Sequence, residues 1–76
     1  MMEISPHIIV DSEIHHGAPV IAGTRVPVFV ILGSLAGGMG KEEVIQEYEL
    51  TQVQIEAALA YAADLVQQTQ VIALTA

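Results

Sequence analysis

A chain of 76 residues without cysteine is expected to form a single domain over residues 1–76, with neither disulfides nor thiolate zinc sites to support it. Because 53% of its residues are hydrophobic and only 14% are charged, too few charges are available to cover a monomer, and we expect a homodimer or higher oligomer. The net charge of −7, with Arg25 and Lys41 as the only cations, argues against autonomous nucleic-acid binding and favours a protein partner with a basic face.

A membrane-spanning segment is not expected. The longest uncharged stretch, residues 26–40, has fifteen residues and includes four glycines. A spanning helix needs about 20 predominantly apolar residues. The N-terminus begins Met1-Met2-Glu3, which is acidic, and no signal-peptide core follows it. We therefore expect a cytoplasmic protein.

Two short strands are predicted within residues 7–22. Residues 8–10 are Ile-Ile-Val and residues 20–22 are Val-Ile-Ala, each bounded by turn-forming residues. An antiparallel hairpin is plausible for this pair. Since two strands alone are barely stable in water, we expect them to join the strands of a second chain.

The motif HGAPVIAGTRVPV, residues 16–28, contains the second of these strands and the start of the first predicted helix. Gly23 is expected to have a positive φ or to allow a very close approach, because a side chain there would be strained. Pro27 fits the first turn of a helix, where its missing N–H removes no hydrogen bond.

Three helices are predicted over residues 27–37, 41–48 and 52–68. The third starts with Thr51-Gln52-Val53-Gln54, which is a capping box. It is expected to bury a stripe of apolar residues: Ile55, Ala58, Leu59, Ala62, Leu65 and Val66. The fold class is mainly α, with a short N-terminal β-hairpin or strands followed by a three-helix, helix-turn-helix-like (homeodomain-like) bundle. For residues 69–76 the sequence leaves open a helix extension or an added strand.

No catalytic or cofactor-binding constellation is expected. The histidines His7, His15 and His16 are interpreted as exposed loop residues, because adjacent histidines cannot share a helical face around a metal. At the start of the third helix, Gln52 and Gln54 are possible DNA-facing residues that would read adenine edges. A solvated or partner-facing surface is the simpler interpretation, because no lysine or arginine accompanies them.

Arg25 has two interpretations. In the first it is an ordinary turn arginine, or a buried one, bonded to nearby carbonyls or to Glu47 or Glu49. In the second it is an interface anchor, since its guanidinium forms bidentate hydrogen bonds.

The motif of residues 16–28, followed by LAGGMGKEEVIQEYELTQVQIEAALAYAADL, resembles domain-of-unknown-function family 433 from about Ile8 to Leu65. The resemblance implies a small helix-turn-helix-like fold and the antitoxin half of a type II toxin–antitoxin pair, which neutralises a PIN-like ribonuclease. The alternative is a DNA-binding transcriptional (auto)regulator. The signature residues, candidates for partner binding, are Gly17, Pro19, Gly23, Thr24, Arg25 and Pro27.

Overall fold

A short antiparallel sheet precedes three helices in the computed structural model, which describes residues 1–69. The elements are β1 (Met2–Ser5), β2 (Ile8–Val10), β3 (Val20–Ile21), α1 (Val28–Ala36), α2 (Lys41–Tyr48) and α3 (Gln52–Gln68). The predicted mainly helical class with short N-terminal strands is confirmed. The alternatives for residues 70–76 lie outside the described residues.

The sheet has three strands in the order β1-β2-β3, and all of them come from this chain. The predicted antiparallel pairing of the two apolar strands is confirmed, with Ile8 opposite Ile21 and Ile9 opposite Val20. The additional strand is β1, which pairs with the outer edge of β2. The chain thus supplies the third strand that was expected from a second molecule.

A tight turn brings β1 against β2. Pro6 is the second residue of this turn, a position that suits its fixed φ. His7 is the third residue, and its φ of +66° is the positive value that a type II turn requires there. The carboxylate of Glu3 accepts a hydrogen bond from the His7 N–H at 3.1 Å and so stabilises this turn. The strand register shifts between Glu3 and Ser5, which leaves Ile4 as a β-bulge.

One hydrophobic core joins the sheet to all three helices. Its buried residues are Ile8, Ile21, Val28, Ile31, Val44, Leu50, Ile55 and Ala58. Each helix contributes at least one of them, so β2, β3 and the helices cannot move independently without exposing apolar area.

The helix ends follow the sequence signals, with one correction. At α2 the Glu43 carboxylate accepts from the Gly40 N–H at 2.8 Å, and at α3 the predicted capping box is present. Pro27, expected in the first turn of α1, is instead its N-cap, with an extended ψ of 146°. Pro27 pairs with Val20 in an isolated β-bridge, and this pairing holds it in extended conformation.

The predicted buried stripe of α3 is wrong beyond Ala58. Leu65 and Val66 are 50% and 71% exposed, and every residue from position 63 to 69 is exposed. A helix of 17 residues is about 25 Å long, whereas the nine residues of α1 span only about 13 Å, so α1 cannot cover its full length. Within residues 1–69, no helix is both long and apolar enough to cross a membrane.

Candidate functional site

Residues 19–28, called the signature loop below, form a closed hairpin that runs from β3 to the first residue of α1. The Val28 N–H donates to the Pro19 carbonyl at 2.9 Å, and the Ile21 N–H donates to the Val26 carbonyl at 3.0 Å. A further bond runs from the Ala22 N–H to the His7 carbonyl at 2.8 Å. Backbone hydrogen bonds therefore fix the loop to both the sheet and the first helix.

Gly23 lies at the tip of the signature loop, where the chain reverses. Its φ is +81°, as predicted, and the Thr24 N–H donates to the Ile21 carbonyl at 3.0 Å. These are the features of a type II turn with glycine as its third residue. Apart from Gly23 itself and its two chain neighbours, no residue in the range 1–69 comes within 4 Å of the position that a β-carbon would take. The positive φ, rather than a close approach, is thus the reason for glycine here.

The Thr24 hydroxyl stabilises the same turn through two hydrogen bonds to the backbone. It donates to the Ile21 carbonyl at 2.8 Å and accepts from the Val26 N–H at 3.0 Å. Sequence reasoning included Thr24 in the signature without assigning it a task. The signal was available, because threonine hydroxyls commonly bond to the backbone in turns that follow glycine.

Arg25 follows this turn with an exposed side chain, so the buried-arginine interpretation is wrong. Within residues 1–69 its guanidinium takes part in no hydrogen bond, so the pairing with Glu47 or Glu49 considered in the first interpretation is not formed. Its backbone is nevertheless held, since Nε2 of His15 lies 3.0 Å from the Arg25 carbonyl and donates to it when protonated. Arg25 is thus an exposed cation on a hydrogen-bonded backbone.

Gly17 belongs to the segment that brings His15 to the loop. His15, His16 and Gly17 have φ values of +49°, +56° and +88°, three consecutive left-handed residues. Such a run reverses the chain in a few residues, and glycine is the residue that adopts it without strain. The structure thus gathers five signature residues in the loop itself and places Gly17 in its support.

The two glutamines proposed to face DNA already have partners inside the chain. Oε1 of Gln54 accepts from the Thr51 N–H at 2.9 Å as part of the capping box. Nε2 of Gln52 donates to the carboxylate of Glu56 at 2.8 Å. A glutamine reading adenine would have to give up these bonds.

The histidines lie in exposed loop positions. Among residues 1–69, no three His, Asp or Glu side chains converge in a way that could hold a metal ion.

An apolar groove between α1 and α3 was not predicted. It has a volume of about 310 Å³ and is lined by Pro19, Val28, Phe29, Leu32, Tyr61, Ala62, Leu65 and Val66. A second cleft, of about 210 Å³, lies between β1 and α3, on residues that include Ile4, Tyr61 and Asp64. The missed signal was Phe29, which is 63% exposed because it stands one position off the apolar stripe of α1.

One of the comparisons with known proteins supports the family resemblance of the signature residues. No curated protein and no solved structure is detectably similar to this chain. The model of a family described as "Protein of unknown function (DUF433)" matches residues 8–62, which include the sheet strands β2 and β3, the whole signature loop, α1 and α2. The chain therefore belongs to domain-of-unknown-function family 433.

Proposed function

We propose that this protein is a cytoplasmic, antitoxin-like binding protein that neutralises a PIN-like ribonuclease in a type II toxin–antitoxin pair. The class of partner comes from the family resemblance described above. The observation that carries the proposal is the exposed Arg25, two residues after the tip of a loop whose backbone is held by hydrogen bonds from His15 and Thr24.

A fixed loop favours binding because little conformational entropy is lost when a partner docks on it. The turn at Gly23, the hydroxyl bridge of Thr24 and the contact from His15 together hold the Arg25 backbone. An arginine in such a position can form a bidentate pair with a carboxylate of the partner. Arginine is also among the residues that most often dominate the energy of protein interfaces.

The charge of the protein supports a basic partner. Nine acidic residues stand against two cations, and all but Asp11 are exposed. Proteins that bind RNA carry basic surfaces, so a ribonuclease approaching this chain experiences long-range attraction. We therefore expect fast association that slows as salt is added.

The test is an inhibition assay with a PIN-like nuclease from the same organism, which the proposal expects to be encoded by an adjacent gene. Cleavage of a fluorescent RNA is followed while this protein is added in increasing amounts. We expect cleavage to fall to background near stoichiometric amounts, with complex formation seen by calorimetry. An unrelated ribonuclease serves as the control and should stay active, which separates inhibition from sequestration of the RNA. Undiminished cleavage at a tenfold excess, with no heat of binding, would reject the proposal.

The second candidate function is an operator-binding regulator acting through α2 and α3. Three residues join these helices, with Glu49 at a φ of +55° and Leu50 buried between them, a connection typical of helix-turn-helix proteins. We rank this function second because Gln52 and Gln54 are hydrogen-bonded within the chain and because the net charge of −7 opposes DNA binding.

Titration of the upstream DNA at two salt concentrations tests the second function. We expect no complex at either concentration, because binding to the phosphate backbone depends on lysine and arginine contacts. A complex at low salt that weakens steeply as salt rises would establish the regulator instead.

A further inference from the structure

We propose that the groove between α1 and α3 is a homodimer interface, in which the exposed end of α3 from one copy packs into the groove of the other. This surface includes the base of the signature loop, at Pro19 and Val28, but not its tip at Gly23, Thr24 and Arg25, where the nuclease is proposed to bind.

The groove is apolar and open. Phe29 on one side is 63% exposed, and Leu65 and Val66 on the other are 50% and 71% exposed. Large apolar side chains that form a continuous exposed patch mark interaction sites in soluble proteins. The patch is also the place where the predicted stripe of α3 fails to be buried by its own chain.

The distribution of charge indicates that the occupant is a second copy. Among the described residues, 1–69, no charged one lines the groove, and Asp64 of α3 lines the cleft on the β1 side instead. Two molecules that each carry −7 repel one another wherever their acidic surfaces meet. They approach without close like-charge contacts on this uncharged face. A basic partner, by contrast, gains its attraction from the acidic surfaces elsewhere.

The shape of this face suits a two-fold contact. Such an interface requires one patch that is complementary to itself. Here Leu65 and Val66 of α3 line the same groove as Phe29 and Leu32 of α1. A two-fold rotation can bring Leu65 and Val66 of each copy against Phe29 and Leu32 of the other.

The available area is within about a factor of two of what each partner buries in a standard dimer. The face spans about 25 Å of α3 but only about 13 Å of α1, and each helix is about 10 Å wide, so its projected area is on the order of 400 Å². A corrugated helical surface has more accessible area than its projection. The face can therefore supply a large part of the ~800 Å² that each partner buries in a standard interface.

Sedimentation equilibrium of the full chain tests the proposal, without any nuclease present. We expect a dimer at micromolar concentration. Val66→Glu should raise the dimer dissociation constant at least tenfold, because it places a carboxylate in the apolar contact. The matched control is Val53→Glu, at an exposed valine near the other end of α3 (54% exposed), which should leave dimerisation unchanged. Circular dichroism checks that both variants fold.

Cross-linking gives a second measurement, and the chain has no cysteine to interfere. With a short bismaleimide, Val66→Cys should yield covalent dimers and Val53→Cys should not. A full chain that is monomeric at tens of micromolar overturns the proposal, as does a Val66→Glu protein that dimerises like the unmodified chain. A monomeric chain whose Val66→Glu variant loses only nuclease binding would assign the groove to the nuclease and overturn it as well.

Discussion

Replacing Arg25 by alanine should weaken binding of the PIN-like nuclease by about 30-fold or more, while the protein melts at an unchanged temperature. Truncating an arginine that anchors an interface typically costs ~2 kcal/mol of binding free energy, which corresponds to that factor. Stability should be preserved because the Arg25 side chain is exposed and its guanidinium bonds to no residue in the range 1–69. Calorimetric titration gives the affinity, and a thermal melt at the same concentration gives the stability.

Lys41 supplies the matched control for this experiment. It is the only other cation, it is exposed, and Lys41→Ala changes the net charge by the same amount. If Arg25 acts through general electrostatics, both variants should lose affinity equally. If it forms a bidentate pair, Arg25→Lys should fail to restore binding, because an ammonium group lacks the planar fork. Full affinity in Arg25→Ala would refute the anchor role.

Replacing Gly23 by valine should destabilise the domain by about 1–3 kcal/mol, because a β-branched residue is strained at a φ of +81°. For a domain of this size, each kcal/mol lowers the melting temperature by about 4–8 °C. The space around Gly23 is open, so the whole effect should come from the backbone and not from a clash. Thermal and urea unfolding at fixed protein concentration measure it.

Gly33 is the control that should respond in the opposite direction. It is exposed in the interior of α1, and within residues 1–69 nothing outside the adjacent helix backbone comes within 4 Å of its added β-carbon. Gly33→Ala should therefore stabilise the protein by roughly 0.5–1 kcal/mol, since alanine loses less entropy in a helix. If both substitutions moved stability in the same direction, backbone conformation would not explain the glycine at position 23.

The local signals in this chain were strong enough to predict much of the fold. The Ile-Ile-Val run, the capping box at Thr51 and the glycine of the loop each specify a conformation through their neighbours in sequence. Strand β1 was missed because it is exposed and short, so no buried alternation marks it. β1 forms because Pro6 and His7 reverse the chain and bring it against β2. Its pairing therefore depends on β2 and not on a pattern within its own residues.

For the candidate site, the sequence alone indicated that position 23 requires glycine, through either a positive φ or a close approach, and that Arg25 is the only cation before Lys41. The structure decided for the positive φ. Only the tertiary structure decided that Arg25 is exposed, because burial depends on what packs above a residue and not on its neighbours in the chain. The same holds for α3, whose apolar stripe runs from Ile55 to Val66 in sequence. The packed length of the sheet and α1 determines where along that stripe burial stops, and so creates the groove.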